Sequence, residues 1–235
     1  MTVFRDLDIR ADLGRVLERG HWQSAEGARG EAVREAFAQC RAEIDGLLCP
    51  AFAYAVYPVT AADPGAVVIG DGHRLASPVL AALFGGAREV VLLAYTIGPL
   101  LEARVAEYRA QSDTLHSVVL DTLGSLAVNA LGQIAHDHVK RLAAESGLRS
   151  SIPLNPGTGH WPIEGQRLFL DLIPAAELGL SLSDNYLLCP IKSISMAIAL
   201  GQEVLTDAEG SSCDYCAHPE LCHDARRGLF RGLTS

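Results

Sequence analysis

The sequence is poor in positive charge. It has 19 Lys and Arg residues against 28 Asp and Glu residues, so its formal net charge is −9 at pH 7. Neutralising nucleic-acid phosphates requires clustered cations, and an acidic chain without a basic run is a poor nucleic-acid binder. The same shortage disfavours binding to an anionic membrane surface. We therefore expect neither nucleic acid nor a membrane among its partners.

The sequence also lacks a long uninterrupted apolar segment. A membrane-spanning helix needs about 20 consecutive apolar residues, whereas the apolar stretches at residues 89–96 and 193–201 have only the length of strands. Residues 1–14 carry charges where a secretion signal would place its apolar core. We therefore expect a soluble, cytoplasmic protein, in which cysteines are reduced by default.

What the sequence has in quantity is hydrophobic residues, at 49% of 235 positions, which is enough for a substantial core. Their spacing predicts helices and strands that are interspersed without strict alternation, which favours an α+β fold with a mixed, largely antiparallel sheet. The predicted helices cover residues 7–19, 30–47, 99–110, 113–145 and 164–172, with another starting at Ser77-Pro78, and the predicted strands cover 52–59, 66–69, 90–95, 178–182, 186–188 and 192–200.

The chain divides by composition into three predicted segments. Residues 1–50 form a helical N-terminal segment, residues 51–208 form the α/β core, and residues 209–235 form a tail that contains three of the six cysteines. Motifs for nucleotide binding and hydrolysis are missing: there is no P-loop, no G-x-S-x-G and no H-E-x-x-H, and Gly157-Thr158-Gly159 is too short for a dinucleotide fingerprint.

Four sequence elements carry a resemblance to a known family. PGTGHWPIEGQ at residues 156–166 resembles the PGYGDWPLEGQ-type loop of the activation domain of cobalamin-dependent methionine synthase. LGLSLSDNYLLCPIKSIS at residues 178–195 resembles that family's IGVSLTES segment and the proline and lysine that follow it. TIG at residues 96–98 and LDTLGS at residues 120–125 are similar to elements of its stand-alone members. Their order and spacing agree over roughly half of the chain.

The resemblance implies both a fold and a role. Activation-domain proteins have a largely antiparallel sheet flanked by helices, and they present S-adenosylmethionine to a corrinoid whose cobalt has been oxidised to Co(II). An outside electron donor and the methyl group then return the cofactor to service. The implied partners are a corrinoid-binding methyltransferase and an electron-donor protein. The residues that match the family's ligand positions are Asn129, Pro156, Gly157, Thr158, His160 and Trp161.

The chain departs from the family pattern at two of these positions and at a third, residue 153, just before the loop. The family has an Arg where this chain has Pro153, and proline offers no fork for the carboxylate of S-adenosylmethionine. The family's loop tyrosine is Thr158 here, and its helix glutamate aligns with Asn129. These departures argue against a complete S-adenosylmethionine site, and the sequence leaves open whether that ligand binds.

The tail carries a cysteine motif of the metal-binding kind. Cys213, Cys216 and Cys222 form C-x2-C-x5-C, so two thiolates can converge on one metal and a third is near. The fourth ligand is expected from Cys189, with His218 and His223 as alternatives. An iron–sulfur cluster, expected as [4Fe–4S], suits a redox partner of a corrinoid, but structural zinc and unligated thiols stay open.

Other polar residues have simpler structural interpretations. His136 and His138 lie two apart on a helix, so they point to different faces and are expected at the surface. Asp184 and Lys192 can face a ligand or form an ion pair between neighbouring strands. Trp161 is either a packing anchor or a contact residue of the loop.

Three classes of function follow from these residues. The first is an accessory protein that supports reductive reactivation of a corrinoid methyltransferase through a cysteine-ligated iron–sulfur cluster. The second is a non-catalytic module for corrinoid-protein assembly or binding, with a structural zinc. A metal-dependent enzyme with its own small substrate is the third, since a three-cysteine site can keep an open coordination position.

Overall fold

The strands of the protein pair in antiparallel fashion throughout the described residues. The computed structural model describes residues 1–18, 27–158 and 161–215. Seven strands form a curled sheet in the order β4-β3-β2-β5-β9-β6, with β1 beside β2, and β7 and β8 form a separate hairpin. The strands are β1 (Thr2–Phe4), β2 (Ala51–Asp63), β3 (Ala66–Ile69), β4 (His73–Ala76), β5 (Glu89–Thr96), β6 (Arg149–Ser150), β7 (Ser181–Leu182), β8 (Leu188–Cys189) and β9 (Ser193–Gly201).

Helices cover both faces of this sheet, so the α+β fold with a largely antiparallel sheet is confirmed. The described helices are α1 (Arg10–Glu18), α2 (Gly27–Glu43), α3 (Pro78–Phe84), α4 (Leu100–Ala110), α5 (Thr114–Glu145) and α6 (Gln166–Leu172). By length and composition alone, one described helix, α5, could cross a membrane, but half of its apolar window is buried inside the structure. A core helix has that same composition.

The strand β5 lies at the centre of the sheet and is buried on both faces, as predicted for residues 90–95. It pairs with β2 from Glu89 to Thr96 and with β9 over the same residues. Its odd-numbered residues, such as Val91 and Leu93, belong to the core cluster under α1, α2, α4 and α5. Its even-numbered residues, such as Leu92, belong to the cluster under α3 and α6. Because successive side chains of a strand point to opposite faces of the sheet, β5 contributes residues to both core clusters.

The N-terminal 50 residues contribute to the first of these cores. Ile9 and Leu13 of α1 and Cys40 of α2 are buried in it. Thr2–Phe4 pair with β2, on the strand edge opposite β5. The division into three segments stays a prediction, since packing alone does not test where the chain can be cut.

Two helix starts are set by capping side chains that the local sequence shows. Ser77 caps α3, because its Oγ accepts a hydrogen bond from Leu80 N at 3.2 Å and Pro78 occupies the first turn. Asp113 caps α5 by accepting from His116 N at 3.1 Å. The predicted starts of α3 and α5 are therefore confirmed within a residue, whereas α1 and α2 begin at Arg10 and Gly27 instead of the predicted residues 7 and 30.

Two predicted strands were wrong in extent. Residues 175–178 form a 3-10 helix that ends at Gly179, whose φ of +69° turns the chain, so β7 begins only at Ser181. The predicted strand at 186–188 is displaced to Leu188–Cys189, because Ser183–Tyr186 forms a tight turn with Tyr186 N donating to Ser183 O. The strand β4 was not predicted, although the Asp71-Gly72 turn before it was.

Candidate functional site

The segment that leads into the family-like loop (residues 156–166) runs along the outer edge of β9, which is the edge that faces away from β5. Odd-numbered residues of β9 direct their amides and carbonyls away from β5. Ser151 exchanges hydrogen bonds with Ala199, since Ser151 N donates to Ala199 O and Ser151 Oγ accepts from Ala199 N. Leu154 and Ala197 exchange two backbone hydrogen bonds of 3.0 and 2.8 Å. The segment 151–154 therefore covers the second half of this edge.

The hydrogen bonding along this edge changes at Ser195. No backbone group of the described residues pairs with this edge at Ser195, and the side-chain amide of Asn155 donates to Ser195 O at 2.7 Å instead. The alternation of the strand turns the amide N–H of Ser195 toward the same edge. On the inner face, Ser195 Oγ donates to Gln166 Oε1 at 2.5 Å, and both side chains are buried. Among the described residues, side chains rather than a backbone ladder thus hold this stretch of the strand edge.

The loop itself is held by its own turn. Gly157 has a φ of +81°, and its N–H donates to Trp161 O at 2.9 Å. A side chain at Gly157 would collide with Ile163, so glycine is needed for two reasons. Thr158 is exposed, with its hydroxyl donating to Asn155 O at 2.7 Å, and Pro156 is buried. His160, a predicted binding residue, lies outside the described residues.

Trp161 is a core residue of this structure. Its side chain is only 5% exposed, and its ring lies 5.6 Å from that of Phe169. A Cβ on Gly165 would come within 2.6 Å of Trp161 Nε1, so the helix start is packed closely on the indole. The packing interpretation therefore describes what Trp161 does here, and its cofactor-binding role stays a prediction.

The long helix α5 borders β9 on the opposite face of the sheet. Asn129 is exposed on it. One turn earlier, Ser125 Oγ accepts a hydrogen bond from Lys192 Nζ at 2.8 Å, and Asp121 lies 3.0 Å from the same ammonium. Lys192 is therefore paired with α5, so the alternative of an ion pair with Asp184 on a neighbouring strand is wrong.

The TIG element forms the top of the sheet rather than a ligand surface. Thr96 Oγ1 accepts from Gly98 N at 3.0 Å and from Ser193 Oγ at 2.8 Å, in a buried position. Gly98 has a φ of +81°, and a Cβ there would come within 2.8 Å of Cys49 Cβ. This element fixes the end of β5 to the start of β9.

The predicted metal ligands fall largely outside what the structure describes. Cys216 and Cys222 lie outside the described residues, as do the alternatives His218 and His223. Cys213 is in a 3-10 helix at Ser212–Tyr215, without a described side chain. Cys189 is half-buried on β8, with Sγ 3.9 Å from Leu187 O. Within the described ranges, no group of three or more His, Cys, Asp or Glu residues is placed to hold a metal.

Two histidines of α5, His136 and His138, are more buried than predicted, so their interpretation as surface residues was wrong. His136 and His138 are both half-buried, and within the described part of the chain neither Nε2 has a hydrogen-bond partner. Burial lowers the pKa of each imidazole, with Lys140 adding to the effect at His136 and Arg141 at His138. His138 is surrounded by the rings of Phe4, Phe52 and Tyr54, at 4.8, 5.5 and 5.3 Å.

Sequence reasoning missed Asn155 and Gln166, which contact Ser195 from its two sides. The Asn-Pro pair at 155–156 is a turn signal, and it could have indicated a side-chain cap. Nothing in the local sequence around Gln166 indicates that its amide reaches a strand 29 residues away.

Comparisons with known proteins give a likeness in fold. No protein-family model matches the chain, and no curated protein matches it. Among solved structures, the chain is similar to the MetH reactivation domain bound to AdoHcy, with a TM-score of 0.61 and 13% sequence identity. The alignment covers 84% of this chain and 77% of that one. At this identity the likeness shows a shared fold, as the sequence motifs implied.

Proposed function

We propose that this protein is an accessory protein for a corrinoid-dependent methyltransferase and supports reductive reactivation of its cobalt cofactor. The observation that carries the proposal is the fold, which is similar to that of the MetH reactivation domain over most of both chains. Fold alone does not determine function. Asn155, directly before the family-like loop, donates to Ser195 O, so the start of the loop lies at the edge of β9 and is the candidate binding region.

An S-adenosyl ligand at this edge would meet a modified set of contacts. The proposed binding residues are Asn129, Pro156, Gly157, Thr158, His160 and Trp161. Thr158 already donates its hydroxyl within the loop, Trp161 is buried, and Pro153 has no donor to offer a carboxylate. The exposed side-chain amide of Asn129 would therefore provide the main polar contact among the described residues of this set.

The redox part of the proposal rests on the tail cysteines. Cys213, Cys216 and Cys222, with Cys189 as the fourth ligand, would hold an iron–sulfur cluster. Cys189 fits such a role because it is half-buried at the end of the hairpin strand β8 rather than enclosed in a core. Such a cluster, when bound, would supply one electron at a time from an electron-donor protein. The corrinoid protein is the proposed acceptor.

The test is a metal analysis of protein purified without oxygen. We expect iron and acid-labile sulfide in matching amounts, and we expect Cys216→Ser to lose both. Cys49→Ser is the matched control, because Cys49 is an exposed cysteine outside the tail and should keep wild-type iron and sulfide. Loss in both variants would indicate general damage, and zinc without iron would end the redox proposal.

A second measurement separates reactivation from metal binding alone. The loaded protein is mixed with a Co(II) corrinoid protein and a reductant, with and without S-adenosylmethionine, and the corrinoid spectrum is followed. Faster loss of the Co(II) spectrum in the presence of wild-type protein, but not of Cys216→Ser, is the expected result. Equal rates for the two proteins would contradict an electron-transfer role.

The second candidate is a non-catalytic assembly or binding module with structural zinc. The residues at positions 129, 153 and 158 favour it, because they offer an S-adenosylmethionine group fewer charged and aromatic contacts than the family pattern does. Zinc alone in the metal analysis, together with binding to a corrinoid protein, is the result expected for that function.

A further inference from the structure

Exposed large apolar side chains collect at one end of the sheet, where β5 ends and β9 begins. Seven large apolar side chains of the described residues are exposed, and five of them lie at the start of α4, in the first turns of α5 or beside β8. These five are Leu100, Leu115, Val118, Leu187 and Ile191. A group of exposed apolar side chains on a folded protein indicates a contact surface.

A hydrogen bond joins the connection before β9 to the start of α4. Ile191 N donates to Glu102 Oε1 at 2.9 Å. Glu102 belongs to the same first turn of α4 as Leu100. The side chain of Ile191 is 69% exposed although its backbone is held in this way. An ordered backbone therefore presents an isoleucine to the outside.

The next residue, Lys192, joins the same connection to α5. Its Nζ lies 3.0 Å from Asp121 Oδ2. Val118 lies one turn before Asp121 on α5, and its side chain is exposed. The surface around Leu100, Val118 and Ile191 thus combines residues of three elements, and we refer to it as the apolar end.

The charge that the apolar end exposes is negative. Asp121 has a side chain that is 44% exposed, whereas that of Lys192 is only 12% exposed. Glu102 is half-buried and adds a second carboxylate. The guanidinium of Arg104, further along α4, is already paired with two glutamates. A segment that covers this surface therefore needs apolar side chains together with cations.

The chain itself contains a segment with that composition. Residues 224–235 have the sequence DARRGLFRGLTS and lie outside the described residues. Of the chain's 19 Lys and Arg residues they include three, whereas of its 28 Asp and Glu residues they include one. Their large apolar side chains are Leu229, Phe230 and Leu233. Guanidinium groups form charge-assisted hydrogen bonds with carboxylates, so both parts of the apolar end have a complement in this segment.

The length of the chain permits the contact. The last described residue, Tyr215, packs against the core cluster under α3 and α6. The nine residues of β9, at about 3.4 Å each, separate the two ends of the sheet by roughly 31 Å. Phe230 is 15 positions after Tyr215, and a chain of that length can span up to about 50 Å.

We propose that residues 224–235 bind the apolar end of the same molecule. Phe230 and the two leucines would cover Val118 and Ile191, and the arginines would face Glu102. The segment is then an internal cover, which a protein that docks on this surface has to displace. A second copy of the surface is a poorer cover, because it would bring the same carboxylates against each other. The proposal needs neither a corrinoid nor a metal, so it can fail while the proposed function stands.

The test is photo-crosslinking in the full chain. Phe230 is replaced by p-benzoyl-phenylalanine, which keeps an aromatic ring at this position, and mass spectrometry identifies the residues to which it becomes linked. We expect links within one chain to the peptides that contain Leu100, Val118 or Ile191. The yield should be the same at about 1 µM and about 10 µM protein, because an intramolecular contact has an effective concentration near 1 mM.

Surface variants in the same background test the contact itself. Ile191→Asp should lower the yield at least about threefold, because it replaces an apolar contact by a carboxylate that must be desolvated. Glu102→Gln should also lower it, while an amide oxygen remains to accept from Ile191 N. Val56→Asp is the matched control, since Val56 is an exposed valine on β2 outside the apolar end, and it should keep the full yield.

Two kinds of result overturn the proposal. One is the absence of links to the apolar end, or a yield that Ile191→Asp leaves unchanged. The other is links between two chains that increase with protein concentration, which would assign the surface to a second copy. Thermal unfolding of Ile191→Asp and Val56→Asp checks that a lower yield reflects the surface and not the fold.

Discussion

Gly132 shows how closely the middle of α5 approaches the sheet. The residue is buried, and a Cβ built on it would collide with the hydroxyl of Tyr95 on β5. Alanine has the higher helix propensity, so the sign of Gly132→Ala depends on whether packing or propensity is larger. Overpacking of a rigid core usually costs about 1–3 kcal/mol, which exceeds the propensity gain.

We therefore predict that Gly132→Ala lowers the free energy of unfolding by about 1–2 kcal/mol in urea titrations. Gly14→Ala on α1 is the matched control, since a Cβ there meets nothing within 4 Å. That control should gain roughly 0.5–1 kcal/mol from propensity. Tyr95→Phe in the Gly132→Ala background should recover part of the loss, and stability equal to wild type in Gly132→Ala would contradict the collision.

Individual residues also show what local sequence can reveal. Ser77-Pro78 predicted a helix start because cap chemistry is contained within four residues. The partner of Lys192 was not found from the sequence, because Asp121 is 71 positions earlier and approaches it only when α5 packs beside β9.

At the scale of elements, α5 links stability to pH through His136. Burial lowers the pKa of this imidazole, so it stays neutral in the folded state at pH values where the unfolded chain binds a proton. Lys140 opposes the protonated form, while Asp207 and Asp137 favour it. Because the unfolded state binds more protons below pH 6.5, stability rises with pH in the window just below that value.

The predicted measurement is the free energy of unfolding between pH 5 and pH 7.5. It should fall on acidification below about pH 6.5, by no more than about 1.4 kcal/mol per pH unit for the proton of His136, and His138, whose pKa burial also lowers, adds to the slope. His136→Gln should therefore make the dependence on pH shallower. A wild-type profile that His136→Gln does not alter would show that another group titrates.

Helices and strands were predicted well where one regular spacing of apolar residues extended over the whole element. The continuous apolar run of β5 and the long amphipathic pattern of α5 were found with bounds close to those observed. Short pieces were not: residues 178–182 look like a strand, but the left-handed Gly179 ends a 3-10 helix there. Strands of two to four residues, such as β7 and β4, carry too few positions for alternation to be visible.

For the molecule as a whole, the tail can be separated from the core by experiment. Tyr215 packs against the second core cluster, so a truncation that tests the tail should keep it. We predict that removing residues 216–235 abolishes metal binding and shifts the midpoint of thermal unfolding by less than about 2 °C. A much larger fall would indicate that a metal in the tail stabilises the fold, as the structural-zinc alternative requires.

The length of α5 has a mechanical consequence. Its 32 residues, at about 1.5 Å each, make a rod of roughly 48 Å. Near its middle, Gly132 rests against Tyr95, while Lys140 near the far end is joined to Asp207. The helix is buried at positions from Ser117 to Ala143, so packing along most of its length keeps it straight. A displacement of one end by a partner would therefore be transmitted to Asp207 at the other end.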